Sequence, residues 1–137
     1  MPQMSNGQTI SLKCYDCKQW DAIDSTFATE AFLAQLTRHI NMNALGAPYS
    51  HHLVLPEYPE YNGISCTQHI MESHLTIHTW AESREAWVVV ASCGKFFREQ
   101  VVDFLGEKLK PAKIVLEIIQ GVEKYYQDGP VTFVKQI

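Results

Sequence analysis

The chain has 137 residues, of which 46% are hydrophobic and 19% charged, and its formal net charge is −4. This length suits one domain with a buried core and is too short for two. No Lys/Arg cluster suggests a phosphate-tracking surface, so we expect a small-molecule partner and no nucleic acid. Residues 1–8 lack a basic start followed by an apolar run, and eighteen consecutive apolar residues occur nowhere. We therefore expect a cytoplasmic protein without membrane contact.

The first half of the chain predicts a strand, a helix and a second short strand. Polar and apolar residues alternate over residues 9–15, which is typical of a strand. Apolar residues then recur at every fourth position from residue 25 to about 44, which predicts an amphipathic helix with Ser25 as its N-cap. A strand is predicted at residues 51–55, followed by a loop with two prolines that ends at Gly63.

The second half is richer in strands. Residues 64–71 and 75–80 predict consecutive strands on either side of Ser73, and residues 86–92 predict a third, strongly apolar strand. A helix is predicted at residues 95–109, with Phe97, Val101, Leu105 and Leu109 forming its apolar stripe at a spacing of four. A strand is predicted at 113–119 and an edge strand at 131–137.

This order of elements favours an α+β fold, a two-layer sandwich with helices on one face of a mainly antiparallel sheet. A doubly wound nucleotide fold is not favoured. Since the chain has neither Gly-x-Gly-x-x-Gly nor a phosphate loop, it gives no support for dinucleotide binding or phosphoryl transfer.

The spacing of the cysteines and histidines offers candidates for a metal site. Without a secretion signal, the four cysteines are expected to be thiols. Cys14 and Cys17 have zinc-like or redox-like spacing, but no second pair completes a compact site, so we interpret them as residues at the end of an early strand. His69, His74 and His78 offer another metal alternative. Because His74 and His78 are two strand repeats apart, they lie too far from each other to chelate one ion easily, and no metal is expected.

The most specific pattern is a block around a serine. Residues 72–79 read Glu-Ser-His-Leu-Thr-Ile-His-Thr, and residues 92–94 read Ser-Cys-Gly. A serine hydroxyl is a poor nucleophile unless a base or a strained backbone activates it, and His78 follows Ser73 by five residues. The block resembles the prokaryotic S-adenosylmethionine decarboxylase family, whose proenzymes break the peptide bond before the serine of a Glu-Ser-His-Leu-Thr-Ile-His segment. In that family the serine becomes a pyruvoyl group.

The resemblance implies self-cleavage between Glu72 and Ser73, with a pyruvoyl group derived from Ser73 as the cofactor. It also implies that His78 and Ser65 assist the cleavage, and the Ser65 hydroxyl could donate a hydrogen bond to the developing oxyanion. Cys93 matches the proton donor of the family, and a thiol titrates close enough to neutral pH to act as an acid. The ketone of a pyruvoyl group serves as the electron sink for decarboxylation.

The resemblance also implies substrate and partner. Glu82 matches a carboxylate that the family uses to hold the ribose hydroxyls of its substrate, and a bidentate acceptor suits a vicinal diol. Tyr58 and Tyr61 are candidates, by their chemistry alone, for stacking on adenine. The implied protein is a homodimer of cleaved protomers with sites near the subunit interface. Its implied activity supplies the aminopropyl donor for spermidine synthesis.

The resemblance is dense from Gly63 to Gly94 and thinner elsewhere. The family commonly has Gly-x-His before its first strand, whereas this chain has Gly-Gln-Thr at residues 7–9. After Ser65 the family usually has glycine and an apolar run, whereas residues 66–71 are more polar and bulkier. These departures fall on the substrate side. Decarboxylation of arginine or ornithine is therefore an alternative, and so is an uncleaved family member that binds or regulates a partner.

Overall fold

The computed structural model describes residues 7–119, 122–125 and 132–136. The strands and helices of these residues, in chain order, are β1 (Gln8–Cys17), α1 (Thr26–His39), β2 (Tyr49–Leu53), β3 (Gly63–Ile70), β4 (Ser73–Trp80), β5 (Glu85–Ser92), α2 (Arg98–Leu109), β6 (Pro111–Ile119), β7 (Val122–Tyr125) and β8 (Thr132–Gln136). Single 3₁₀ turns lie at Trp20–Ala22 and Pro59–Tyr61.

Six strands form one antiparallel sheet in the order β2-β3-β4-β5-β1-β6, and β7 pairs with β8 in a separate two-stranded sheet. The predicted α+β sandwich is confirmed. The strand predicted at residues 131–137 forms at Thr132–Gln136, but it pairs with β7 and is not an edge of the main sheet. The first and last residues of that prediction, 131 and 137, lie outside the described residues.

One face of the main sheet forms the core with both helices. Strand residues alternate between the two faces, and the row Leu12, Val88, Ile77 is fully buried on the helical side. Helix α1 packs over β2, β3 and β4, while α2 packs over β1 and β6. The helices meet where the rings of Phe32 and Phe104 lie 5.2 Å apart, edge to face.

The opposite face of the main sheet is covered by neither α1 nor α2, and we call it the open face. One row of cross-strand partners across all six strands defines this face: His51, Ser65, His78, Trp87, Lys13 and Val115. The rows parallel to it on the same side of the sheet belong to the open face as well. Apolar side chains remain partly exposed on this face, including Trp87 (36%), Val115 (41%) and Ile119 (46%). Apolar surface of this kind marks a surface that a partner could cover.

Helix α1 begins as predicted. The Ser25 hydroxyl accepts a hydrogen bond of 3.0 Å from the backbone N–H of Ala28, which is the expected N-cap geometry. The helix ends at His39, earlier than the predicted residue 44. Asn41 has a φ of +58°, a left-handed conformation that ends a helix and that Asn tolerates better than most residues.

Helix α2 starts later than predicted, at Arg98, because residues 95–97 are not helical. Phe97 is therefore outside the helix and 70% exposed, while its neighbour Phe96 is buried. The prediction of Phe97 in the buried stripe was wrong. The buried stripe of α2 consists of Val101, Phe104, Leu105 and Leu109.

The chain reverses between β3 and β4 in a turn of only two residues, Met71 and Glu72. Ile70 pairs with Ser73 across this hairpin, so Ser73 is the first residue of β4. The predicted start of this strand at residue 75 was two residues late. The tight turn fixes the peptide bond between Glu72 and Ser73 at one end of the sheet.

Within the described residues, no helix is both long and apolar enough to cross a membrane.

Candidate active site

The carbonyl group of Glu72 is held by a backbone donor from the neighbouring strand. Ser73 is paired with Ser92 in the β4–β5 ladder, so the residue after Ser92 lies opposite Glu72. The N–H of Cys93 donates a hydrogen bond of 2.9 Å to the Glu72 carbonyl oxygen. The structure thus brings together three predicted site residues, Glu72, Ser73 and Cys93, which we call the cleavage end.

Asn43 holds the side chain of Glu72. Its backbone N–H and its amide Nδ2 donate to the two carboxylate oxygens at 3.3 and 2.7 Å, and its carbonyl accepts from the N–H of Met71 at 2.9 Å. These contacts fix the hairpin turn against the segment that follows α1. The sequence carries no signal for Asn43, because it is 29 residues from Glu72 in an irregular segment.

The segment that presents Cys93 is also held in place. The hydroxyl of Ser92 accepts from the N–H of Gly94 at 2.9 Å and lies 3.0 Å from the Gly94 carbonyl oxygen, to which it can donate. A Cβ added at Gly94 would lie 3.0 Å from Cγ of Glu72. A glycine at this position therefore allows the two segments to approach closely.

Ser73 is exposed, and its hydroxyl lies 3.1 Å from Nδ1 of His74. Its φ is +156°, outside the usual β range, so the irregular backbone of the turn falls on the residue that follows the Glu72–Ser73 peptide bond. An open cavity of about 530 Å³ adjoins it, and the residues that line it include Glu72, Ser73, Cys93, Gln8, Thr9 and Ile119. A small molecule in this cavity would contact both the serine and the cysteine.

Ser65 and His78 form a second group. They are cross-strand partners on the open face, and the Ser65 hydroxyl lies 2.8 Å from Nδ1 of His78. Burial lowers the pKa of His78 below its ordinary value of 6.5, because it disfavours the charged imidazolium. The ring also lies against Trp87, with centroids 5.6 Å apart. This lowering of the pKa favours the uncharged imidazole, which is the form that can act as a base.

The predicted substrate residues lie at the same end of the sheet as that second group. Glu82 is exposed in the turn between β4 and β5, and Tyr58 and Tyr61 are exposed in the loop before β3, with ring centroids 6.4 Å apart. The N–H of Ala81 donates to the carbonyl of Asn62 at 3.0 Å, which ties the loop to the turn.

We call this region, with Ser65, His78, Glu82, Tyr58 and Tyr61, the far end. It lies away from the cleavage end, because His78 is five residues from Ser73 along one strand, a distance of about 17 Å. Within a single chain, the structure does not bring Ser65 and His78 to the Ser73 hydroxyl.

A second cavity, of about 400 Å³, opens near the far end. Its lining includes Tyr15, Trp80 and Trp87, with Lys13 and Glu85 as its charged residues. Glu82, Tyr58 and Tyr61 do not line this cavity. Trp80 was not among the predicted site residues, although it shares the strand face of His78.

The other cysteines have the features of structural thiols. All four cysteines are free, and only Cys93 is partly exposed. Burial raises the pKa of Cys14 and of Cys66 to about 12 and that of Cys17 to about 11, so their reactive thiolates are scarce at neutral pH. Cys14 and Cys17 lie at the end of β1, as predicted. Among the described residues, no three His, Cys, Asp or Glu side chains are grouped so that they could hold a metal ion.

The fold and the cleavage end together define a class: a two-layer α+β domain that places a serine hydroxyl beside a hydrogen-bonded peptide carbonyl at a hairpin turn. A family model described as S-adenosylmethionine decarboxylase matches residues 8–120. The chain belongs to the S-adenosylmethionine decarboxylase family.

Individual proteins agree with this assignment. The chain is 31% identical over 128 residues to an S-adenosylmethionine decarboxylase proenzyme of Thermomicrobium roseum, covering 86% of this chain and 96% of that protein. It is 31% identical over 101 residues to a proenzyme of the same name from Aeropyrum pernix, covering 73% and 72%. The crystal structure of the adenosylmethionine decarboxylase from Aquifex aeolicus superimposes with a TM-score of 0.66 at 23% identity, covering 82% of this chain and 87% of the other. That likeness supports the fold.

Proposed function

We propose that this protein is a pyruvoyl-dependent S-adenosylmethionine decarboxylase, made as a proenzyme that cleaves itself between Glu72 and Ser73. Its product would be the aminopropyl donor for spermidine synthesis. One observation carries the proposal: the Cys93 N–H donates to the Glu72 carbonyl at 2.9 Å, beside the Ser73 hydroxyl. Relatives that are named as proenzymes add support.

The proposed cleavage begins when Oγ of Ser73 attacks the carbonyl carbon of Glu72. Negative charge then develops on the Glu72 carbonyl oxygen, where the Cys93 N–H already donates a hydrogen bond. A donor placed before the reaction stabilises such charge without reorganisation. Breaking the amide bond leaves an ester between Glu72 and Ser73 and a free Ser73 amine. β-elimination then releases the Glu72 carboxylate and leaves a dehydroalanine at position 73. Its enamine tautomerises to an imine, and water hydrolyses the imine, which releases ammonia and leaves the pyruvoyl terminus of the second fragment.

The residues of the cleavage end fit a pyruvoyl group. Ser73 lines the cavity of about 530 Å³, so the new terminus would face space that a substrate could enter. The ketone supplies the electron sink for decarboxylation. Cys93 lines the same cavity and is partly exposed, so its thiol can return a proton to the substrate carbon.

We further propose that the working unit is a homodimer of cleaved protomers. The cleavage end lacks the Ser65–His78 pair, and the far end lacks Ser73. Each end therefore has side chains that the proposed reaction requires at the other end. A two-fold axis that packs two open faces would place the far end of one copy over the cleavage end of the other and would create two identical sites. The partly exposed Trp87, Val115 and Ile119 of the open face would be covered in such a dimer.

In this dimer the far end of the second copy would supply the base and the substrate contacts. The neutral imidazole of His78 would remove the proton that β-elimination requires. Glu82 is exposed, so its carboxylate can accept hydrogen bonds from a ribose diol. This favours S-adenosylmethionine over arginine or ornithine as the substrate. Tyr58 and Tyr61 are the aromatic candidates for adenine, on the basis of their chemistry and exposure.

The test is the intact mass of the denatured protein after incubation at neutral pH with a ketone-reactive hydrazine. The expected result is two fragments of 72 and 65 residues, since 137 minus 72 is 65, with the probe on the second. Ser73→Ala should remain one uncut chain. Cys93→Ala should be cut and labelled, because its backbone donor remains, but should release little carbon dioxide. Cleavage that persists in Ser73→Ala would contradict the proposal.

A comparison of substrates completes the test. The cleaved protein is given S-adenosylmethionine, arginine or ornithine, and carbon dioxide release is measured. We expect release from S-adenosylmethionine alone, and Glu82→Gln should raise KM more than it lowers kcat because it weakens a binding contact. Release from arginine or ornithine instead would replace the proposed substrate while leaving the pyruvoyl chemistry in place.

A further inference from the structure

The Ser73 hydroxyl has an imidazole partner in its own chain, and that partner is not His78. The distance from Oγ of Ser73 to Nδ1 of His74 is 3.1 Å, whereas His78 is about 17 Å away along the strand. Side chains of consecutive strand residues normally point to opposite faces. The contact between residues 73 and 74 accompanies the irregular φ of Ser73, +156°, at the start of β4.

The surroundings of His74 suit a proton acceptor. The side chain is half-buried on the open face, where its cross-strand partners are His69 on β3 and Ala91 on β5. In the neutral tautomer with hydrogen on Nε2, Nδ1 carries a lone pair and accepts from the serine hydroxyl. On the other side of the serine, the Glu72 carbonyl is held by the Cys93 N–H at 2.9 Å. Nucleophile, acceptor and oxyanion donor thus belong to one chain.

We propose that His74 is a catalytic residue of self-cleavage and serves as the base for ester formation. This inference rests on the proposed self-cleavage. As Oγ of Ser73 bonds to the Glu72 carbonyl carbon, its proton passes to Nδ1 of His74. The tetrahedral centre then collapses, the bond from that carbon to the Ser73 nitrogen breaks, and the imidazolium returns the proton to the leaving nitrogen. The products are an ester and a free Ser73 amine, with no co-reactant required.

This assignment divides the two histidines of the motif between two steps. His74 acts before the ester forms, and His78 of a second copy acts after it, when the ester eliminates. The two steps can be separated because hydroxylamine cleaves an ester at neutral pH and leaves ordinary peptide bonds intact. It attacks Asn-Gly bonds, here residues 6–7 and 62–63, more slowly, and those breaks give fragments of other masses. A protein blocked at elimination therefore breaks at residue 72 on treatment with hydroxylamine, whereas a protein blocked at ester formation does not.

The experiment compares His74→Gln, His74→Ala, His78→Ala and the control His69→Ala in the full chain. Each variant is purified as the precursor, incubated with and without hydroxylamine, and followed by intact mass over time. Glutamine keeps hydrogen-bonding groups but cannot take the proton. We expect both His74 variants to form ester about 10²-fold more slowly than the wild type, the usual scale for loss of a general base. His78→Ala should break with hydroxylamine, and His69→Ala should match the wild type.

Added imidazole separates a chemical role from a structural one. His74→Ala leaves room beside the exposed Ser73, so imidazole in solution should speed its cleavage several-fold while leaving the wild type unchanged. Near-wild-type ester formation in His74→Gln would overturn the assignment, and so would His74→Ala that is slow but does not respond to imidazole. If the wild type stays uncut and resists hydroxylamine, self-cleavage itself fails. That outcome is distinct from failure of His74 alone in a protein that cleaves.

Discussion

The cleavage end and the far end lie on the same two strands, β3 and β4, but they are built differently. At the cleavage end, the decisive contacts use the backbone N–H of Cys93 and the amide of Asn43, both from outside the hairpin. At the far end, the Ser65–His78 contact joins side chains of facing strand residues. A single chain therefore holds the Glu72 carbonyl next to Ser73, while Ser65, His78 and Glu82 lie at the other end of the strands, where we propose that a second copy uses them.

Both ends depend on one hydrophobic core under the sheet, which includes Leu12, Ile77 and Val88. We propose that their separation along the strands has a functional meaning, and this can be tested by recombining the two ends from different chains.

The largest expected effect comes from combining two inactive variants. Ser73→Ala lacks the nucleophile but keeps an intact far end, while His78→Ala keeps the cleavage end but lacks the proposed base for elimination. Each variant alone should remain unprocessed. When both are co-expressed with different tags, a fraction of the His78→Ala chains should be cut and labelled by hydrazine, because a Ser73→Ala partner supplies His78. The measurement is the intact mass of each tagged chain.

The control is co-expression of Ser73→Ala with a chain that carries Ser73→Ala and His78→Ala together. No chain in that mixture has a serine to cleave, so none should be labelled. If the first mixture also stays uncut while wild-type chains process, His78 does not act across two copies, and the comparison between the ends loses its functional meaning.

Sequence patterns predict the far end better than the cleavage end. Strand alternation alone places Ser65 and His78 on a sheet face, and the Ser25 cap was identified from the start of a helical repeat. The β3–β4 turn was predicted too long, because its two residues carry no glycine or proline to mark it. The start of α2 was misplaced because residues 95–97 continue its apolar spacing although they are not helical, and so Phe97 was assigned to the core in place of Phe96.

The contacts of the cleavage end are less predictable for a physical reason. Every residue except proline has a backbone N–H, so nothing in the sequence marks the one on Cys93 as a donor to Glu72. Asn43 meets Glu72 only because the segment after α1 returns beside the hairpin. Such contacts depend on tertiary structure, and local patterns do not encode them.

A smaller effect is expected from Asn43→Ala, which tests the side-chain contact between Asn43 and Glu72 at the cleavage end. This change removes the 2.7 Å hydrogen bond to the Glu72 carboxylate while keeping the backbone contacts. A hydrogen bond to a charged group contributes about 1.5 kcal/mol, and about 1.4 kcal/mol of barrier is a tenfold change in rate. We therefore expect cleavage to slow by up to about tenfold, measured as the half-time for appearance of the 72-residue fragment.

Two further variants make that result specific. Asn43→Asp places one carboxylate against another and should slow cleavage more than Asn43→Ala does. Gln35→Ala, on the exposed side of α1, should leave the half-time unchanged. Equal half-times for Asn43→Ala and the wild type would show that the Glu72 side chain can move freely without affecting its carbonyl.

The smallest effect concerns the far end and the pH dependence of stability. Burial holds the pKa of His78 below 6.5 in the folded chain, so between that lowered pKa and 6.5 the unfolded chain binds more protons. The free energy of unfolding therefore falls as pH decreases through this window. The nearest titratable side chains in the cross-strand row of His78 are His51 and Lys13, each two strands away.

In a Ser73→Ala background, which prevents cleavage, the additional change His78→Gln should make the free energy of unfolding fall less steeply from about pH 7.5 to about pH 5.5. Urea unfolding at one fixed protein concentration measures the free energy of unfolding at each pH. Equal pH dependence in the two proteins would mean that His78 takes up a proton as readily in the folded chain as in the unfolded one.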